Sequence, residues 1–439
     1  MILKARLSLL LLSVAVVIAG CGGGGGSGGG SGSGSGSATD ATSYSPTAGA
    51  VSGSGAADAA DSDNESTTVL MLSDIASKVM VPAYQNLASK TALLSATSGV
   101  ESYCSAIGGA DEASKLESIR TLWNEASDAY AKTEVHSVGP ADIDGVYRYR
   151  VSSFASAPLD TCGVDTSVVN QNNADFNLAA RPASQRGLGA VEYLLFNNDQ
   201  DHSCSSNTAP AGWDQLGVAD RKSQRCEYAV ELASDIDEAA NGIVESWSAE
   251  GSNYMAEFTS EDSAGESLQQ LTDAIIVHMD KEAKDKKVGI PTGVKEECSG
   301  LSCPDKVERP HVQTSLAAVR ANIQGFIDVI NGGDGKGFDD LLSEKGYAST
   351  SEDMLAKAQA AIDNIDAAKK TLFVQAAAIN DESKQEACTN AFVSHDETYE
   401  DYSACALTGL LKDVTDILKV DFVAIVEVNL PGRVQADND

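Results

Sequence analysis

The apolar residues of this chain recur at helical spacing, and this periodicity constrains the fold more than any other feature of the sequence. Apolar side chains stand three or four positions apart in several long segments, as expected for helices that bury one face. Residues 420–428 are rich in β-branched side chains, but they continue one of these segments, so a helix is predicted there too. The sequence therefore predicts an all-α fold. The segments are residues 70–94, 116–135, 226–247, 268–287, 314–330, 354–379 and 407–428.

The length of the chain bears on the number of domains. Residues 66–439 are too many for a single hydrophobic core and suit two domains. The polar segment that begins at residue 250 is the most favourable boundary. We therefore predict two helical bundles packed side by side, residues 66–255 and residues 256–439. Pro82 is expected to kink the first helix or to begin a new one.

The N-terminal region indicates export and a lipid anchor. Residues 1–20 combine Lys4 and Arg6 with an apolar run that is short for a bilayer, which is typical of a signal peptide. The Ile-Ala-Gly-Cys sequence that ends at Cys21 resembles the lipobox of bacterial lipoproteins, which implies cleavage before Cys21 and lipid attachment to its sulfur. Residues 21–65, which are rich in Gly and Ser, are predicted to be a disordered tether.

This pattern predicts a protein of the bacterial cell envelope that is anchored to the membrane through Cys21 and does not span it. Gly22 stands where inner-membrane lipoproteins carry an aspartate. The outer membrane is therefore the expected location, with the protein facing the periplasm or the cell surface. The net charge of −33 repels nucleic acid and anionic lipid headgroups, so a nucleic-acid partner is excluded.

The cysteines indicate disulfides rather than a metal site. Without Cys21, eight of the nine cysteines remain, and an even number in an exported chain favours four disulfides. Pairing of neighbours along the chain closes the shortest loops, but many other pairings are possible. The sequence has no C-x-x-C, which disfavours a thiolate zinc site. The neighbour pairs are Cys104–Cys162, Cys204–Cys226, Cys298–Cys303 and Cys388–Cys405.

One segment, RPASQRGLGAVEYLLFNND at residues 181–199, places a carboxylate in an otherwise apolar helix. Glu192 lies on the flank of the apolar face, and Gly189 lies one turn before it on the same side. A glycine in a helix costs about 1 kcal/mol relative to alanine. That cost indicates close backbone packing or a ligand beside Glu192. A hydrogen bond from Glu192 to Arg181, to Arg186 or to a neighbouring helix is the simpler interpretation.

The same segment resembles the signature of the imelysin family, which is G-x-H-x-x-E followed by an apolar run. Gly187, Gly189 and Glu192 fall on this motif, and other stretches match the family in the same order along the chain. The resemblance implies a two-domain, all-helical fold with a site between the domains that includes Glu192. It also implies an exported or lipid-anchored envelope protein linked to iron acquisition, and some family members are classed as peptidases. The other stretches include VMVPAYQNLASKTALL, residues 103–140 with Cys104, Trp123, Gly139 and Pro140, DKKVGIPTG, and ERPHVQTSLAAVRANIQGF.

The chain departs from the motif at one position, because Gly189 stands where the family has histidine. A metallopeptidase needs imidazoles or carboxylates around its metal and a base near the bound water. None of the five histidines begins an H-x-x-E or an H-E-x-x-H sequence, and the cysteines are expected to be oxidised. The sequence therefore favours a protein without peptidase activity.

Our first hypothesis is a non-catalytic binding protein for iron, or for an iron-bearing ligand, in iron acquisition. Iron or another divalent metal is then the expected cofactor, with Glu192 as a ligand, since carboxylate oxygens suit a hard cation. A solvated charge, a salt bridge or, for the histidine, a structural hydrogen bond is the simpler role for each of the other candidates. Lys287 is interpreted as a cation that complements the end of a helix. The other candidate ligands are Glu134, His136, Asp285 and Glu308.

Two further hypotheses stand beside the first. One is an imelysin-type metallopeptidase with an altered site, which would cleave protein in a metal-dependent reaction that needs Glu192. The other is a tethered docking module for an outer-membrane receptor, which would bind its partner independently of Glu192 and of chelators.

Overall fold

The structure, a computed structural model, describes residues 67–142, 146–154 and 157–435. Within these ranges the chain forms helices and no strands, so the predicted all-α fold is confirmed. The predicted signal peptide, the lipid-attachment residue Cys21 and the Gly/Ser tether lie outside the described residues. In the described part of the chain, no helix has the length and apolar character needed to cross a bilayer.

The longer α-helices of the described ranges coincide with most of the predicted segments. Shorter helical turns connect them, for example Val100–Cys104, Arg148–Val151 and Tyr254–Phe258. The longer helices are α1 (Val81–Ser95), α2 (Glu112–Glu134), α3 (Thr161–Asn170), α4 (Gly187–Phe196), α5 (Val218–Trp247), α6 (Ala264–Val277), α7 (Ser315–Asn331), α8 (Phe338–Glu344), α9 (Ala348–Ala367), α10 (Leu372–Ala378), α11 (Glu382–Val393) and α12 (Ser403–Ile417).

Three stretches of the described chain are π-helical, with hydrogen bonds that span one residue more than in an α-helix. They are Ile75–Met80, His278–Gly289 and Leu418–Phe422. The first ends just before α1, so Pro82 lies where the π-helical turn passes into that helix without a break in the helical run. The second extends α6 and carries several of the buried charges described below.

Two differences from the predicted helices have local causes. The predicted helix 354–379 is broken between α9 and α10, where Thr371 caps α10 by accepting a hydrogen bond from the Val374 N–H. Helix α11, which the apolar pattern does not predict, begins after Asp381, whose carboxylate accepts a hydrogen bond from the Lys384 N–H. Capping side chains, rather than apolar periodicity, therefore set these two helix starts.

The hydrophobic interior of the described residues has two main clusters. One cluster draws its buried residues from the chain between Leu87 and Ala240. The other combines residues 71–84 with residues 135–141 and with most of the chain after residue 243. The helical run from residue 67 to Ser95 therefore begins in one cluster and ends in the other. The division into two bundles at residue 255 stays a prediction.

Four disulfides are present in the described residues, as predicted, but the neighbour pairing is correct for only two of them. Cys298–Cys303 and Cys388–Cys405 pair as neighbours. The other neighbour pairs are wrong, because the observed bonds are Cys104–Cys226 and Cys162–Cys204. Cys104 ends the short helix Val100–Cys104, which packs against α5, where Cys226 lies. Helix packing therefore overrides the shorter loop closure.

Candidate functional site

Glu192 lies in α4 with its side chain only 2% exposed. Its Oε1 accepts hydrogen bonds from the backbone N–H groups of His311 and Val312, each with an N–O distance of 2.9 Å. These two N–H groups belong to the loop that precedes α7. The simpler interpretation, in which Glu192 bonds Arg181, Arg186 or a neighbouring helix, is therefore wrong, because loop backbone supplies the observed partners.

Helix α4 and this loop are held in place by the same tryptophan. Trp123 Nε1 donates a hydrogen bond to the Leu188 carbonyl oxygen over 3.0 Å, which fixes the first turn of α4. The guanidinium of Arg309, in the loop, stacks 5.6 Å from the centre of the Trp123 ring. At the start of α4, Arg186 Nη2 contacts Asp235 Oδ2 at 2.5 Å. Glu192 is therefore presented to the loop by a rigid frame.

A cavity of about 320 Å³ opens beside Glu192. Most of its exposed lining is apolar, with Leu159 and Ile290 among its walls. Its charged and titratable lining residues are Glu192, Glu297, Asp305, Glu308, Lys286, Lys306 and His311. Such a volume lies at the lower end of the range for small-molecule sites, which are also mostly apolar with a few polar groups. The arrangement therefore suits a small organic molecule that carries polar groups.

Burial raises the pKa of Glu192 to about 7. The two backbone hydrogen bonds and the positive charge of Arg309 oppose this rise, whereas the negative charge of Glu308 adds to it. Because the raised pKa lies near neutrality, Glu192 can present either a carboxylate or a carboxylic acid to the cavity under physiological conditions.

Gly189 leaves open space where the family signature has histidine. A Cβ atom at Gly189 would meet only the Leu159 Cδ1 atom, at 3.8 Å, and a small cavity of about 30 Å³ lies beside this glycine. Gly187 is different, because its φ of +76° is left-handed and a Cβ atom would lie 2.7 Å from the Val151 carbonyl oxygen. The backbone therefore requires glycine at 187 but not at 189.

The two glycines predict opposite effects of alanine. Gly189→Ala is expected to raise the free energy of unfolding by about 0.5–1 kcal/mol, since alanine favours the helix and finds room. Gly187→Ala is expected to lower it by about 2 kcal/mol, because the left-handed backbone and the carbonyl contact oppose a side chain. Urea denaturation of both variants checks this pair, and a destabilising Gly189→Ala would contradict it.

Two of the predicted ligands, Glu134 and Glu308, are joined by one buried lysine. Lys287 Nζ lies 2.5 Å from Glu134 Oε2 and 3.2 Å from Glu308 Oε2. Lys287 lies in the last turn of the π-helical stretch His278–Gly289, as its predicted place at a helix end requires, but its side chain is 1% exposed and also pairs two buried carboxylates. Glu308 also lines the cavity beside Glu192. A chain of buried charges therefore leads from this cavity to Glu134.

The other two predicted ligands lie elsewhere. His136 is buried against Tyr84, whose hydroxyl donates a hydrogen bond to the His136 carbonyl oxygen over 2.7 Å. Burial lowers the pKa of His136 to about 4, so its ring is neutral at physiological pH. Asp285 pairs with three lysines at distances of 3.4–3.5 Å. Neither residue lines the cavity beside Glu192.

Glu134 belongs to a cluster of buried ligand groups that sequence reasoning missed. One ligand atom from each of Glu134, His278 and Glu282 lies within 4.8 Å of the other two. His278 and Glu282 are four residues apart, which places them on one side of the same helix. This H-x-x-x-E spacing was the available signal, but the H-x-x-E and H-E-x-x-H patterns do not detect it.

The charges around this cluster keep both of its carboxylates ionised. Burial would raise the pKa of each, but Lys287 holds the pKa of Glu134 below its ordinary value. In the same way, Arg148, whose Nη2 lies 2.8 Å from Glu282 Oε2, holds the pKa of Glu282 well below its usual range. The cluster therefore offers two anionic groups and one imidazole, a set compatible with a metal ion.

The all-helical fold is that of the imelysin-like proteins. A solved imelysin-like protein from Psychrobacter arcticum superposes with a TM-score of 0.59, covering 84% of this chain and 98% of that one. A second solved structure, from Parabacteroides distasonis, has a TM-score of 0.53 and covers 81% of this chain and 95% of its own. Both are 15% identical in sequence, so these likenesses concern the fold alone.

The sequence comparison identifies the family. The Imelysin family model matches residues 80–398, so the chain belongs to the imelysin family. A curated relative, iron-regulated protein A of Synechococcus elongatus, is 25% identical over 274 residues. That match covers 60% of this chain and 64% of the relative, so the chain spans less than two thirds of the length of that protein.

Proposed function

We propose that this imelysin-family protein is a non-catalytic binding protein that holds an iron-bearing ligand in the cavity beside Glu192. The observation that carries the proposal is a buried, backbone-anchored glutamate at the wall of a 320 Å³ cavity. The relative named iron-regulated protein A supports the link to iron. In this proposal the lipid at Cys21 anchors the protein in the outer membrane, which cell fractionation of a Cys21→Ser variant would test.

The composition of the cavity favours a small chelate over a bare ion. Lys286 lies with its Nζ 5.2 Å from the centre of the Phe154 ring, and burial lowers its pKa. A cation held in this way can pair with a carboxylate of the ligand, while the apolar walls cover its carbon atoms. Glu192 then supplies an oxygen to the iron of the chelate.

The lining of the cavity does not favour peptide hydrolysis. Gly189 removes the imidazole of the family signature, and one Glu192 oxygen is already committed to two backbone N–H groups. His311 lines the same cavity, but its ring packs on Tyr193 with a centroid distance of 5.7 Å. Binding without chemistry is therefore the role that this arrangement supports best.

Ferric citrate is a suitable probe because it is a small chelate with free carboxylates. We expect saturable binding to the purified protein by calorimetry, weakened about tenfold or more by Glu192→Gln. The amide keeps the shape and the backbone hydrogen bonds but removes the anionic oxygen that coordinates the iron, and a tenfold loss corresponds to about 1.4 kcal/mol. Binding of the wild-type protein should also strengthen as the pH rises through 7.

Glu297→Gln is the matched control, because Glu297 lines the same cavity but is exposed. Its affinity for ferric citrate should stay within about twofold of wild type. Equal binding by wild type and Glu192→Gln, or no binding by either, would overturn the proposal. Metal-dependent cleavage of casein that Glu192→Gln abolishes would instead establish the peptidase. Capture of an outer-membrane protein that is insensitive to Glu192→Gln and to chelators would establish the docking module.

A further inference from the structure

A second site is built around Glu134, His278 and Glu282, separate from the cavity beside Glu192. Each of the three side chains is at most 3% exposed. Glu134 is the last residue of α2, whereas His278 and Glu282 lie in the π-helical stretch His278–Gly289. Widened π-helical turns are rare and are frequently found at functional sites. The three groups therefore meet where the π-helical stretch lies beside the C-terminal end of α2.

The imidazole of His278 is oriented as a ligand. Its Nδ1 lies 3.0 Å from Glu282 Oε2, and an ionised carboxylate can only accept, so Nδ1 carries the hydrogen. In that tautomer, Nε2 holds the free lone pair. Nε2 is buried and has no hydrogen-bond partner among the described residues. A carboxylate that receives the second ring N–H of a histidine is the usual partner of a metal-bound imidazole.

Glu134 contributes a second acceptor, one of whose oxygens lacks a hydrogen-bond donor. Its Oε2 accepts hydrogen bonds from Lys287 Nζ, over 2.5 Å, and from Asn322 Nδ2, over 3.0 Å. Its Oε1 is buried and has no partner in the described part of the chain. A buried acceptor without a donor is costly, and two acceptors in one cluster call for a bound cation or another donor.

The neighbouring cations leave room for a metal ion. Arg148 contacts the Oε2 atom of Glu282, and Lys287 contacts the Oε2 atom of Glu134. The Oε1 atom of Glu134 is therefore left without a partner among the described residues. A cavity of about 300 Å³ reaches the cluster, so an ion has a route to these two acceptors. The charged groups of this lining, apart from His278, are Glu134, Asp142, Asp273, Glu282, Arg148 and Arg433.

We propose that Glu134 and His278, with Glu282 orienting the imidazole, form a site for a divalent transition-metal ion of the ferrous or zinc type. One imidazole nitrogen and one carboxylate oxygen, with water completing the coordination, suit these ions, whereas calcium and magnesium prefer oxygen ligands throughout. The site does not depend on the function proposed for the cavity beside Glu192. The two are reached through different cavities, although Lys286 of the first lies in the π-helical stretch that carries His278 and Glu282.

The experiment titrates the purified, chelator-treated full chain with Fe²⁺ without oxygen, and separately with Zn²⁺ and Co²⁺. We expect one equivalent bound per chain and a visible Co²⁺ absorption spectrum of a nitrogen- and oxygen-ligated ion. His278→Gln is expected to weaken binding by about 100-fold or more, since it removes a direct ligand. His136→Gln is the matched control, because it removes another buried imidazole outside the cluster.

Circular dichroism and the thermal midpoint establish that each variant is folded. If His278→Gln does not fold, the Co²⁺ spectrum of the wild-type protein decides. Failure of the wild-type protein to retain any of the three ions, or equal weakening by His136→Gln and His278→Gln, would overturn the site. The ferric citrate experiment depends on Glu192 and this one on His278, so either proposal can fail while the other stands.

Discussion

Glu192→Gln is expected to raise the free energy of unfolding by about 3 kcal/mol at pH 8 and to leave it almost unchanged at pH 4. Glu192 is buried in the wild-type protein, and burial raises its pKa from 4.5 to about 7. Glutamine has nearly the same shape, accepts the same two backbone hydrogen bonds through its carbonyl oxygen and never ionises. The variant therefore removes only the cost of holding a charge in the interior.

The direction follows from proton binding in the folded and unfolded states. Below pH 4.5 the carboxyl is protonated in both states, so ionisation adds no cost. Between pH 4.5 and about 7 the unfolded chain releases this proton while the folded protein retains it, so wild-type stability falls as the pH rises. Above pH 7 the loss is complete and amounts to about 3 kcal/mol, since one pKa unit corresponds to about 1.4 kcal/mol.

Urea denaturation of both proteins at a series of pH values from 4 to 8 measures the difference. Glu297→Gln serves as the control, because an exposed glutamate should change stability by less than about 0.5 kcal/mol at every pH. A difference between wild type and Glu192→Gln that does not vary with pH would show that Glu192 titrates as it does in water. If the wild type instead became more stable than Glu192→Gln as the pH rises, a positive charge beside Glu192 would have to stabilise its carboxylate.

Loss of the Cys104–Cys226 disulfide is expected to lower the free energy of unfolding by about 5 kcal/mol. The bond closes a loop with a sequence separation of 122 residues, so it restricts the unfolded chain more than any other disulfide of the described residues. It also joins the short helix Val100–Cys104 to α5, which carries the buried Cys226. The double variant Cys104→Ser/Cys226→Ser isolates this contribution.

The short Cys298–Cys303 loop, with a separation of 5 residues, supplies the comparison. Its double serine variant is expected to lose only about 2 kcal/mol on the same chain-entropy basis. Guanidinium denaturation without reductant measures both. Equal losses in the two variants would show that the disulfides act through contacts in the folded protein rather than through loop length.

The sequence predicts the helices well because the apolar residues that recur at helical spacing are the residues through which the helices pack. It predicts them poorly where a cap decides, as at Thr371 and Asp381. The disulfide partners of Cys104 and Cys162 were mispredicted for a related reason. Loop length is visible along the chain, whereas the packing of a short helix on α5 is a property of the folded protein.

The residues of the candidate site were likewise predictable from the sequence only in part. The motif around Glu192 could be located from sequence, and so could Glu134, since each lies in a stretch that resembles the family. The two backbone N–H groups that bond Glu192 could not, because every residue has such a group and only the loop geometry selects these two. His278 and Glu282 were missed because their spacing carries meaning only once Glu134 lies beside them.

The helix that runs from residue 67 to Ser95, and is shared between two hydrophobic clusters, bears on how a ligand can enter. In a protein that closes over its ligand by a hinge motion, two lobes rotate about flexible connecting segments. Here such a rotation would have to bend a helix that is packed at both of its ends. The molecule should therefore keep one outline with and without ligand, and entry should not depend on separation of the two clusters. Small-angle scattering curves that superpose before and after ligand addition would be the signature of this stiffness.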